Sequence, residues 1–460
     1  YSIHNPVTID MITTGTNIPN QLGQDDIYYN EVKGPKKTKA LRDFHNLVIK
    51  SKLINSVSEP GNILIDYAVG KGGDIPKWIA AKLSFVFGID YSKDNIRNPV
   101  DGVCSRYLNY RQKFEDIPNG LFVYGNSSKN IKDTTALYSD VGKKITNAVF
   151  GIGAKDDLGK GVLKSYGVAS EGFNISSIQF AIHYMFENTQ TLHNFLTNIS
   201  ECTKIGGYFI GTSFNGKKIF NLLNTLKENE TYTFFNREKT EKLLEITKQY
   251  GRDEFNDDIS SLGYPIDIFQ ASINKTIREY LVNYDYLTSI LENYGFVPLT
   301  TDELKKIGLA NSIDSFEVLF KQMQANIKAG KVDRNNVGDA NRMTREEKDI
   351  SFLNNYFIYK KVRNVDIADI KIALNPSSEI EQLEKVEKTL EAQLAVEKSS
   401  EKMEKAGEVS LQSSKPPTAS TSKAATATAT ASKPPSASKA ASASKPPSAS
   451  KAASASKPPS

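Results

Sequence analysis

Cysteine, histidine and long apolar runs are scarce in this sequence. Its 460 residues include two cysteines, Cys104 and Cys202, and four histidines. Two thiols are too few for a disulfide framework or a zinc site, which predicts reduced cysteines in an intracellular protein. The histidines show no metal-ligand spacing, so no metal site is expected. The sequence also lacks a signal-peptide pattern and any apolar run of about 18 residues, which predicts a soluble protein without membrane contact.

Net charge is almost absent from most of the chain. The formal charge of +5 depends on residues 411–460, which contain seven lysines and no acid. Without those seven lysines, 51 of the 58 basic residues remain against 53 acidic residues. Any affinity of the main body for nucleic acid must therefore come from a local patch rather than from global charge.

Composition divides the chain into four regions. Residues 1–35 are rich in Pro, Gly, Asn and Thr and are predicted to be a linker at the end of an upstream region. The first residue is Tyr1 rather than Met, which suggests a fragment of a longer polypeptide. Residues 36–365 have enough apolar side chains for a complete core. A charged helical segment at 366–410 and a repetitive tail at 411–460 follow.

The two C-terminal regions have simple compositions. Between residues 379 and 408, apolar residues recur every three or four positions among Glu and Lys. This spacing predicts a solvated amphipathic helix, with a coiled-coil contact as the alternative. From Ser413 onward, a unit of Ser, Lys, Pro and Ala repeats without large apolar side chains and cannot offset its own ordering entropy, so disorder is expected. A solubilising or tethering tail is favoured over a basic tail that holds RNA.

Strand and helix patterns alternate through the region 36–365. In order, the predicted elements are a helix at 38–57, a strand at 62–66, a helix near 74–83, a strand at 85–90, a helix near 93–100, strands at 121–124 and 175–184, a helix near 187–204, a strand at 207–213, a strand and a helix within 277–300, and a last strand at 351–361. This order predicts an α/β fold with a doubly wound sheet and helices on both faces. Residues 225–262 are charged and weakly periodic, which indicates an insertion or lid.

A glycine-rich turn follows the first predicted strand. The strand ends on Asp66, and residues 70–74 read Gly-Lys-Gly-Gly-Asp. Gly70 and the glycines after it lack a Cβ, so the turn can be tight and its backbone N–H groups can approach a ligand. Twenty residues after Gly70, Asp90 closes the next apolar strand. Nucleotide-binding α/β domains bind a ribose from this position.

This turn differs from the one found in dinucleotide-binding folds. Ile75 stands at the third glycine of Gly-x-Gly-x-x-Gly, and the charge of Asp66 would repel phosphates. An acid at this position suits a cationic ligand. S-adenosylmethionine has an α-amino group for Asp66 and a ribose for Asp90, and it has no phosphate. The structural alternative is a plain turn followed by a helix-capping Asp90.

Five sequence blocks occur in a fixed order between residues 38 and 362. They are 41–46 with 50–54, the Asp-x-x-x-Gly-Lys-Gly-Gly-Asp block 66–74, the block 177–187 with Gln-Phe-x-x-His-Tyr-x-Phe-Glu, the block 206–212, and 279–282. In this order the sequence resembles the mRNA cap guanine-N7 methyltransferases. Its leading residues resemble the linker in multidomain mRNA-capping enzymes of large DNA viruses. The resemblance implies a class I (Rossmann-like) S-adenosylmethionine-dependent methyltransferase with a doubly wound sheet, a cap-covering insertion and a disordered C-terminal tail.

Two adjacent ligand sites are implied by the resemblance. The residues that would hold S-adenosylmethionine are Lys50, Asp66, Gly70, Asp90, Asn126 and Gln179. The residues that would hold the cap are Asn46, Lys71, His183, Tyr184, Glu279 and Tyr356. Lys71 can meet a cap phosphate, and the rings of His183 and Tyr184 can contact a purine. Glu279 can accept guanine N1–H and N2–H and stabilise the positive charge that methylation of N7 creates.

No general base is required for this reaction. Guanine N7 has a free lone pair, and the methyl group of a sulfonium is already activated. Catalysis would come from positioning, in which Glu279, Tyr184 and His183 hold the guanine in line with the methyl donor. The absence of a Ser/His/Asp set or a metal cluster from the sequence motifs is consistent with this chemistry.

The sequence departs from the family pattern at four places. Val69 stands where Cys is usual, a small apolar exchange that is expected to be harmless. The segment 45–50 is one residue longer than usual, which bears on the register of Asn46. Asn126 and Asn174 stand where Asp is common. Asn126 can still hydrogen-bond to the adenine, with a different balance of donors and acceptors.

The expected protein is thus a guanine-N7 methyltransferase for the GpppN end of mRNA. Its expected partners are the capped 5′ end and a covalently linked or associated triphosphatase/guanylyltransferase. Its expected location is the host cytoplasm or the virion of a virus, or the nucleus if the protein is cellular. The alternatives are another RNA or small-molecule class I methyltransferase and a non-catalytic copy that binds capped RNA or a partner. Asp66, Asp90 and Glu279 argue against the non-catalytic copy.

Overall fold

The computed structural model describes residues 38–271 and 274–374. The predictions for the linker 1–35, for the helix at 379–408 and for the tail 411–460 lie outside these residues. Among the residues that are described, no helix is both long and apolar enough to cross a lipid bilayer.

Twelve strands and fourteen α-helices are present in the described part of the chain. The strands are β1 (Ile63–Asp66), β2 (Phe85–Asp90), β3 (Asn119–Tyr124), β4 (Phe173–Gln179), β5 (Thr203–Phe214), β6 (Thr231–Phe235), β7 (Lys242–Lys248), β8 (Pro265–Gln270), β9 (Lys275–Tyr280), β10 (Phe296–Pro298), β11 (Ile313–Ser315) and β12 (Asn354–Lys361). The helices are α1 (Lys39–Asp43), α2 (Ser51–Val57), α3 (Ile75–Ala80), α4 (Lys93–Arg97), α5 (Val103–Arg111), α6 (Asp140–Phe150), α7 (Lys160–Leu163), α8 (Thr189–Cys202), α9 (Gly216–Leu222), α10 (Tyr284–Asn293), α11 (Thr301–Ile307), α12 (Phe316–Lys328), α13 (Arg345–Ser351) and α14 (Ile367–Leu374). A π-helical segment, Phe44–Lys50, joins α1 to α2, and 3₁₀ segments occur at Ile182–Phe186, Ile259–Ser261, Arg334–Val337 and Ala340–Arg342.

The larger sheet has the strand order β10-β12-β5-β4-β1-β2-β3, with β11 paired to β12. β1 lies between β2 and β4 and is parallel to both. β12 runs antiparallel to β5. After β1, the chain adds β2 and β3 on one side of β1 and then adds β4 and β5 on the other side. This reversal makes β1 a topological switch point. In such sheets, ligands bind beyond the carboxyl ends of the strands at this point.

Two apolar layers cover the faces of this sheet. One contains Phe44, Leu53 and Trp78 from the helices around β1. The other contains Phe195 on α8 and Phe209 on β5. All five side chains are at most 1% exposed. The doubly wound prediction is confirmed, because the strands carry apolar residues toward both faces, as buried parallel strands require.

Local signals set several helix starts. Asn188, Thr300 and Thr344 each begin a helix with a capping box, in which the cap side chain and the third residue satisfy each other's backbone N–H groups. The helices α11, α12 and α13 were not predicted from the sequence. They lie between 301 and 351, a stretch for which we inferred no element.

One predicted strand is too long. The strand expected at 175–184 ends at Gln179, and His183 lies on the 3₁₀ segment that follows. Phe180 has a φ of 56°, the left-handed conformation that breaks an extended strand. The apolar run continues past this point because the 3₁₀ segment is also buried, so the sequence pattern does not reveal the break.

The segment 225–262 is confirmed as part of an insertion, but it is ordered as a sheet. Strands β6, β7, β8 and β9 form a four-stranded antiparallel sheet between β5 and β10. Its core residues include Leu244 and Ile266, each 1% exposed. β9 packs against the 3₁₀ segment Ile182–Phe186. The insertion thereby brings Glu279, on β9, to the edge of the larger sheet.

Candidate active site

Three polar side chains end neighbouring strands at the switch point. Asp66 ends β1, Asp90 ends β2 and Gln179 ends β4, and each is less than 8% exposed. Parallel strands place their carboxyl ends at the same edge, so these three predicted residues share one crevice. The structure thus brings together the residues that the sequence assigned to one ligand.

Asp90 is held in place by the glycine turn. The Gly70 N–H, in a residue with a φ of 55°, donates to Asp90 Oδ2 at 2.7 Å. Asp90 Oδ1 accepts from the Ser92 N–H and from Asn95 Nδ2, both at 2.9 Å. Ser92, not Asp90, caps α4. A carboxylate has about four lone-pair sites, so Asp90 Oδ2 can accept one more hydrogen bond, as a ribose hydroxyl would supply.

Asp66 is a buried acid with little compensation. Its Oδ1 accepts from the Ala68 N–H at 3.1 Å. Burial, with a smaller contribution from the nearby charge of Asp74, raises the pKa of Asp66 to about 7. A cation placed against this carboxyl would stabilise its ionised form. The side chain therefore fits an amino group better than a phosphate.

Lys50 forms part of a buried ion-pair network. Its Nζ lies 3.3 Å from Asp74 Oδ2, and Lys77 Nζ lies 2.8 Å from Asp74 Oδ1. Burial opposes ionisation of Asp74, but the two lysines prevail and lower its pKa to about 2. Asp74, to which the sequence pattern assigned no role, thus holds the ammonium group of Lys50 in place.

The π-helical segment Phe44–Lys50 contains the stretch that is one residue longer than usual. The i→i+5 pattern of a π-helix absorbs an extra residue and widens the turn. His45 and Lys50, five residues apart, both reach the ring of Phe180: the imidazole stacks at 5.2 Å, and Lys50 Nζ lies 5.7 Å from the ring centroid. Asn46 is half-buried, and its Nδ2 donates to the Arg42 carbonyl at 3.1 Å.

His183 and Glu279 face each other in a buried pocket. Glu279 Oε2 lies 3.6 Å from His183 Nδ1, and the side chains are 11% and 6% exposed. Burial lowers the pKa of His183 to about 3 and raises the pKa of Glu279 to about 8. His183 Nε2 has no hydrogen-bond partner within the described residues. The half-buried Tyr184 ring meets the imidazole edge-on, with centroids 4.2 Å apart.

Lys71 is held by two acids. Its Nζ lies 2.9 Å from Asp94 Oδ2 and 2.9 Å from Asp101 Oδ1. Burial acts to lower the pKa of Lys71, but its hydrogen bonds to Asp101 and Asp94 raise it overall. Contact with a cap phosphate would require Lys71 to leave one of these acids. Neither acid was identified from the sequence, because the pairing depends on how the loop after α4 folds back.

The remaining two predicted residues differ in their placement. Asn126 follows β3, and its Oδ1 accepts from the Ser128 N–H at 2.9 Å and from Ser128 Oγ at 2.7 Å. Tyr356 was predicted to hold the cap, but the structure buries it. It is 0% exposed in the core, and its hydroxyl donates to the Asn311 carbonyl at 3.1 Å. The two apolar layers that cover the sheet bury the side chains of β12 on both faces.

The strand order and its acids define the class of protein. The larger sheet has a switch point at β1, and its strand β12 runs antiparallel to β5. Acids end β1 and β2. This is the class I (Rossmann-like) fold of S-adenosylmethionine-dependent methyltransferases. Alignment with the solved CcbJ methyltransferase from Streptomyces caelestis covers 73% of this chain and 95% of that one, with 12% identity and a TM-score of 0.35.

The family follows from the sequence comparison. Residues 28–362 match the family described as mRNA (guanine-N(7))-methyltransferase domain, and the chain belongs to this family. A probable mRNA-capping enzyme of Acanthamoeba polyphaga mimivirus is 26% identical over 401 residues, which are 80% of this chain and 32% of that protein. The mRNA cap guanine-N(7) methyltransferase of Saccharomyces cerevisiae is 29% identical over 272 residues, 55% of this chain and 50% of that protein. The chain thus spans about a third of the first relative and half of the second.

Proposed function

We propose that this chain methylates N7 of the guanine in the 5′ GpppN cap of mRNA, with S-adenosylmethionine as the methyl donor. The observation that carries the proposal is the buried pair of His183 and Glu279, 3.6 Å apart, beside the crevice that holds Asp66 and Asp90. A neutral imidazole and a carboxyl group in a water-poor pocket suit a flat, donor-bearing base. Membership of the guanine-N7 methyltransferase family supports the same substrate.

On the donor side, the residues fit S-adenosylmethionine. Asp66 would bind its amino group, Asp90 would accept from a ribose hydroxyl, and the Gly70 turn admits close approach. Lys50, Asn126 and Gln179 complete the proposed set. The sulfonium, when bound, supplies an already activated methyl group, so the protein has no proton to remove. The raised pKa of Asp66 and the open lone pair on Asp90 support this fit.

On the cap side, Glu279 would select guanine. Its ionised carboxylate can accept both N1–H and N2–H, whereas adenine presents no such pair of donors. His183 stays neutral, so it adds no repulsion when N7 methylation makes the ring cationic. Tyr184 would contact the ring, and Lys71 with Asn46 would contact the cap beyond it. Catalysis is then positioning of N7 at about 3–3.5 Å from the methyl carbon, with Glu279 stabilising the charge that develops.

A single assay tests this proposal. The chain is incubated with radiolabelled S-adenosylmethionine and GpppA-RNA, ApppA-RNA or uncapped RNA of the same sequence. Methylation of GpppA-RNA alone is expected. Equal labelling of ApppA-RNA would instead favour another class I methyltransferase, and donor binding without any transfer would favour a non-catalytic copy that binds caps.

The pH dependence should follow Glu279. Because burial raises its pKa to about 8 and guanine requires the carboxylate, kcat/KM for capped RNA at saturating donor should rise with pH, reach half its maximum near pH 8 and level off above that pH. His183, with a pKa of about 3, does not titrate in this range. The measurement is a rate profile from about pH 6 to pH 9. Glu279→Gln should flatten the profile, and a flat profile in the unmodified chain would contradict the assignment.

Lys71 provides a second, smaller test. The Asp101 side chain is 47% exposed, and the ammonium group of Lys71 forms ion pairs with both Asp101 and Asp94. Asp101→Asn should free Lys71 for the cap and lower KM for capped RNA about two- to fivefold, the range of an exposed ion pair, with kcat unchanged. Asp140→Asn, which removes an exposed acid 3.6 Å from Lys143, is the matched control and should change nothing. An unchanged or higher KM in Asp101→Asn would argue against phosphate contact by Lys71.

The proposal extends to the setting in which the chain acts. The mimivirus relative is about three times as long as the matched region, and its name denotes a capping enzyme. We propose that this chain acts next to a triphosphatase/guanylyltransferase, either linked or associated, as a soluble enzyme in the host cytoplasm or virion. Fractionation of infected cells and co-purification with guanylyltransferase activity would test it.

A further inference from the structure

The hydroxyl of Thr212 touches both sides of the candidate site. Thr212 lies on β5 and is 0% exposed. Its Oγ1 donates to Gln179 Oε1 at 3.2 Å and accepts from the Phe180 N–H at 3.1 Å. The first contact is to a residue assigned to the methyl donor. The second is to the turn that leads to His183.

Phe180 needs this support because its backbone is strained. A bulky side chain at a φ of 56° is an outlier that persists only where its surroundings over-determine it. The Phe180 N–H donates to the Thr212 carbonyl at 2.9 Å as well as to its hydroxyl. The Phe180 ring is stacked on His45 and meets Phe316 edge-on at 6.1 Å. Thr212 therefore fixes the backbone while the rings fix the side chain.

The conformation of Phe180 decides where His183 lies. Continuation of β4 would carry the chain straight past the crevice. The reversal at Phe180 ends the strand and starts the 3₁₀ segment Ile182–Phe186, which points His183 toward Glu279. On the donor side, two hydrogen bonds hold the amide of Gln179. Its Oε1 accepts from Thr212, and its Nε2 donates to Ser177 Oγ at 3.2 Å.

We infer that Thr212 is a positioning residue that sets the spacing between the donor site and the cap site. This inference rests on the proposed function for its catalytic consequence, but the donor-side contact stands on geometry alone. A buried sheet position with a β-branched residue would accept valine if packing were its purpose. Valine has the same shape and lacks the hydroxyl that serves Gln179 and Phe180 at once.

The test compares three single variants of the full chain. Thr212→Val should raise KM for S-adenosylmethionine and reduce kcat with GpppA-RNA, each about tenfold. Thr212→Ser retains the hydroxyl and should restore both parameters to near those of the unmodified chain. Thr146→Val is the matched control, since Thr146 is also 0% exposed and its Oγ1 donates to the Gly142 carbonyl at 2.9 Å in α6. It should lower the melting temperature as much as Thr212→Val without altering either parameter.

Coupling to Gln179 separates positioning from a general loss of packing. If Thr212 acts on the donor through Gln179, its hydroxyl should have no effect once Gln179 is truncated. The double variant Thr212→Val, Gln179→Ala should therefore bind S-adenosylhomocysteine no more weakly than Gln179→Ala alone. Additive losses, failure of Thr212→Ser to restore function, or normal kinetics in Thr212→Val would each overturn the inference. If the unmodified chain does not methylate GpppA-RNA, the proposed function fails separately. Thr212 is then judged on S-adenosylhomocysteine affinity, where equal binding by Thr212→Val and the unmodified chain would refute it.

Discussion

Replacing Glu279 by glutamine is expected to reduce methylation of GpppA-RNA roughly 10²–10³-fold. Glutamine keeps the shape of the side chain, but its amide has only one acceptor oxygen. Its NH₂ group would face a guanine N–H group, and two donors cannot hydrogen-bond to each other. It also removes the negative charge that would stabilise the methylated, cationic ring. The loss should appear in kcat/KM for capped RNA under single-turnover conditions with saturating donor.

Binding of the methyl donor separates this role from a structural one. Glu279 contacts His183 rather than Asp66 or Asp90, so calorimetric titration with S-adenosylhomocysteine should give the same affinity in Glu279→Gln as in the unmodified chain. Glu347→Gln is the matched control, because Glu347 is buried and serves a helix capping box that glutamine can also form. A parallel loss of donor affinity and turnover in Glu279→Gln would rule out the assigned role.

Replacing Asp66 by asparagine should abolish tight binding of the donor. Loss of one partner from a buried charge pair costs about 2–5 kcal/mol, which is roughly 30- to 5,000-fold in affinity. In the unmodified chain the affinity should rise with pH through about 7, because burial raises the pKa of Asp66 to that value and the carboxylate is the binding form. Titrations of S-adenosylmethionine at several pH values measure both effects.

Stability provides an independent check on Asp66. Its pKa is raised in the folded chain from an ordinary value near 4, so between about pH 4 and pH 7 the folded state binds more protons than the unfolded state. The free energy of unfolding contributed by this group therefore falls as pH rises through that window. At pH 8 the folded chain carries the cost of a buried, ionised Asp66 carboxylate. Asp66→Asn lacks this charge and should have a higher melting temperature than the unmodified chain at pH 8. A lower melting temperature together with unchanged donor affinity would disprove the assignment.

Much of the donor side could be predicted because its signals are local. The glycine turn 70–74, the acid before it and the acid at the end of the next strand each follow from a short stretch of sequence. Parallel strands then place their ends at one edge whatever the rest of the chain does. For this reason Asp66, Gly70 and Asp90 are found together as expected, with a hydrogen bond from Gly70 to Asp90.

The errors lie where distant segments decide the outcome. Tyr356 was assigned to the cap by the family resemblance, yet the apolar layer that covers this face of the sheet buries it. The break at Phe180 has no local signal, because the strained φ is held by Thr212 and by rings from the π-helical segment and α12. An insertion was predicted at 225–262, but its four strands were not, because their alternation is short and their pairing is not local.

Local pattern and motif were enough to predict the order of strands β1 to β5, the acids that end β1 and β2, and the family to which the chain belongs. Which distant side chains meet depends on how the whole chain folds. The tertiary structure brought Glu279 from β9 to His183, paired Lys71 with Asp94 and Asp101, and tied Gln179 to Phe180 through Thr212. It also set the protonation of the buried acids, since a pKa depends on desolvation and neighbouring charges that exist only after the chain has folded.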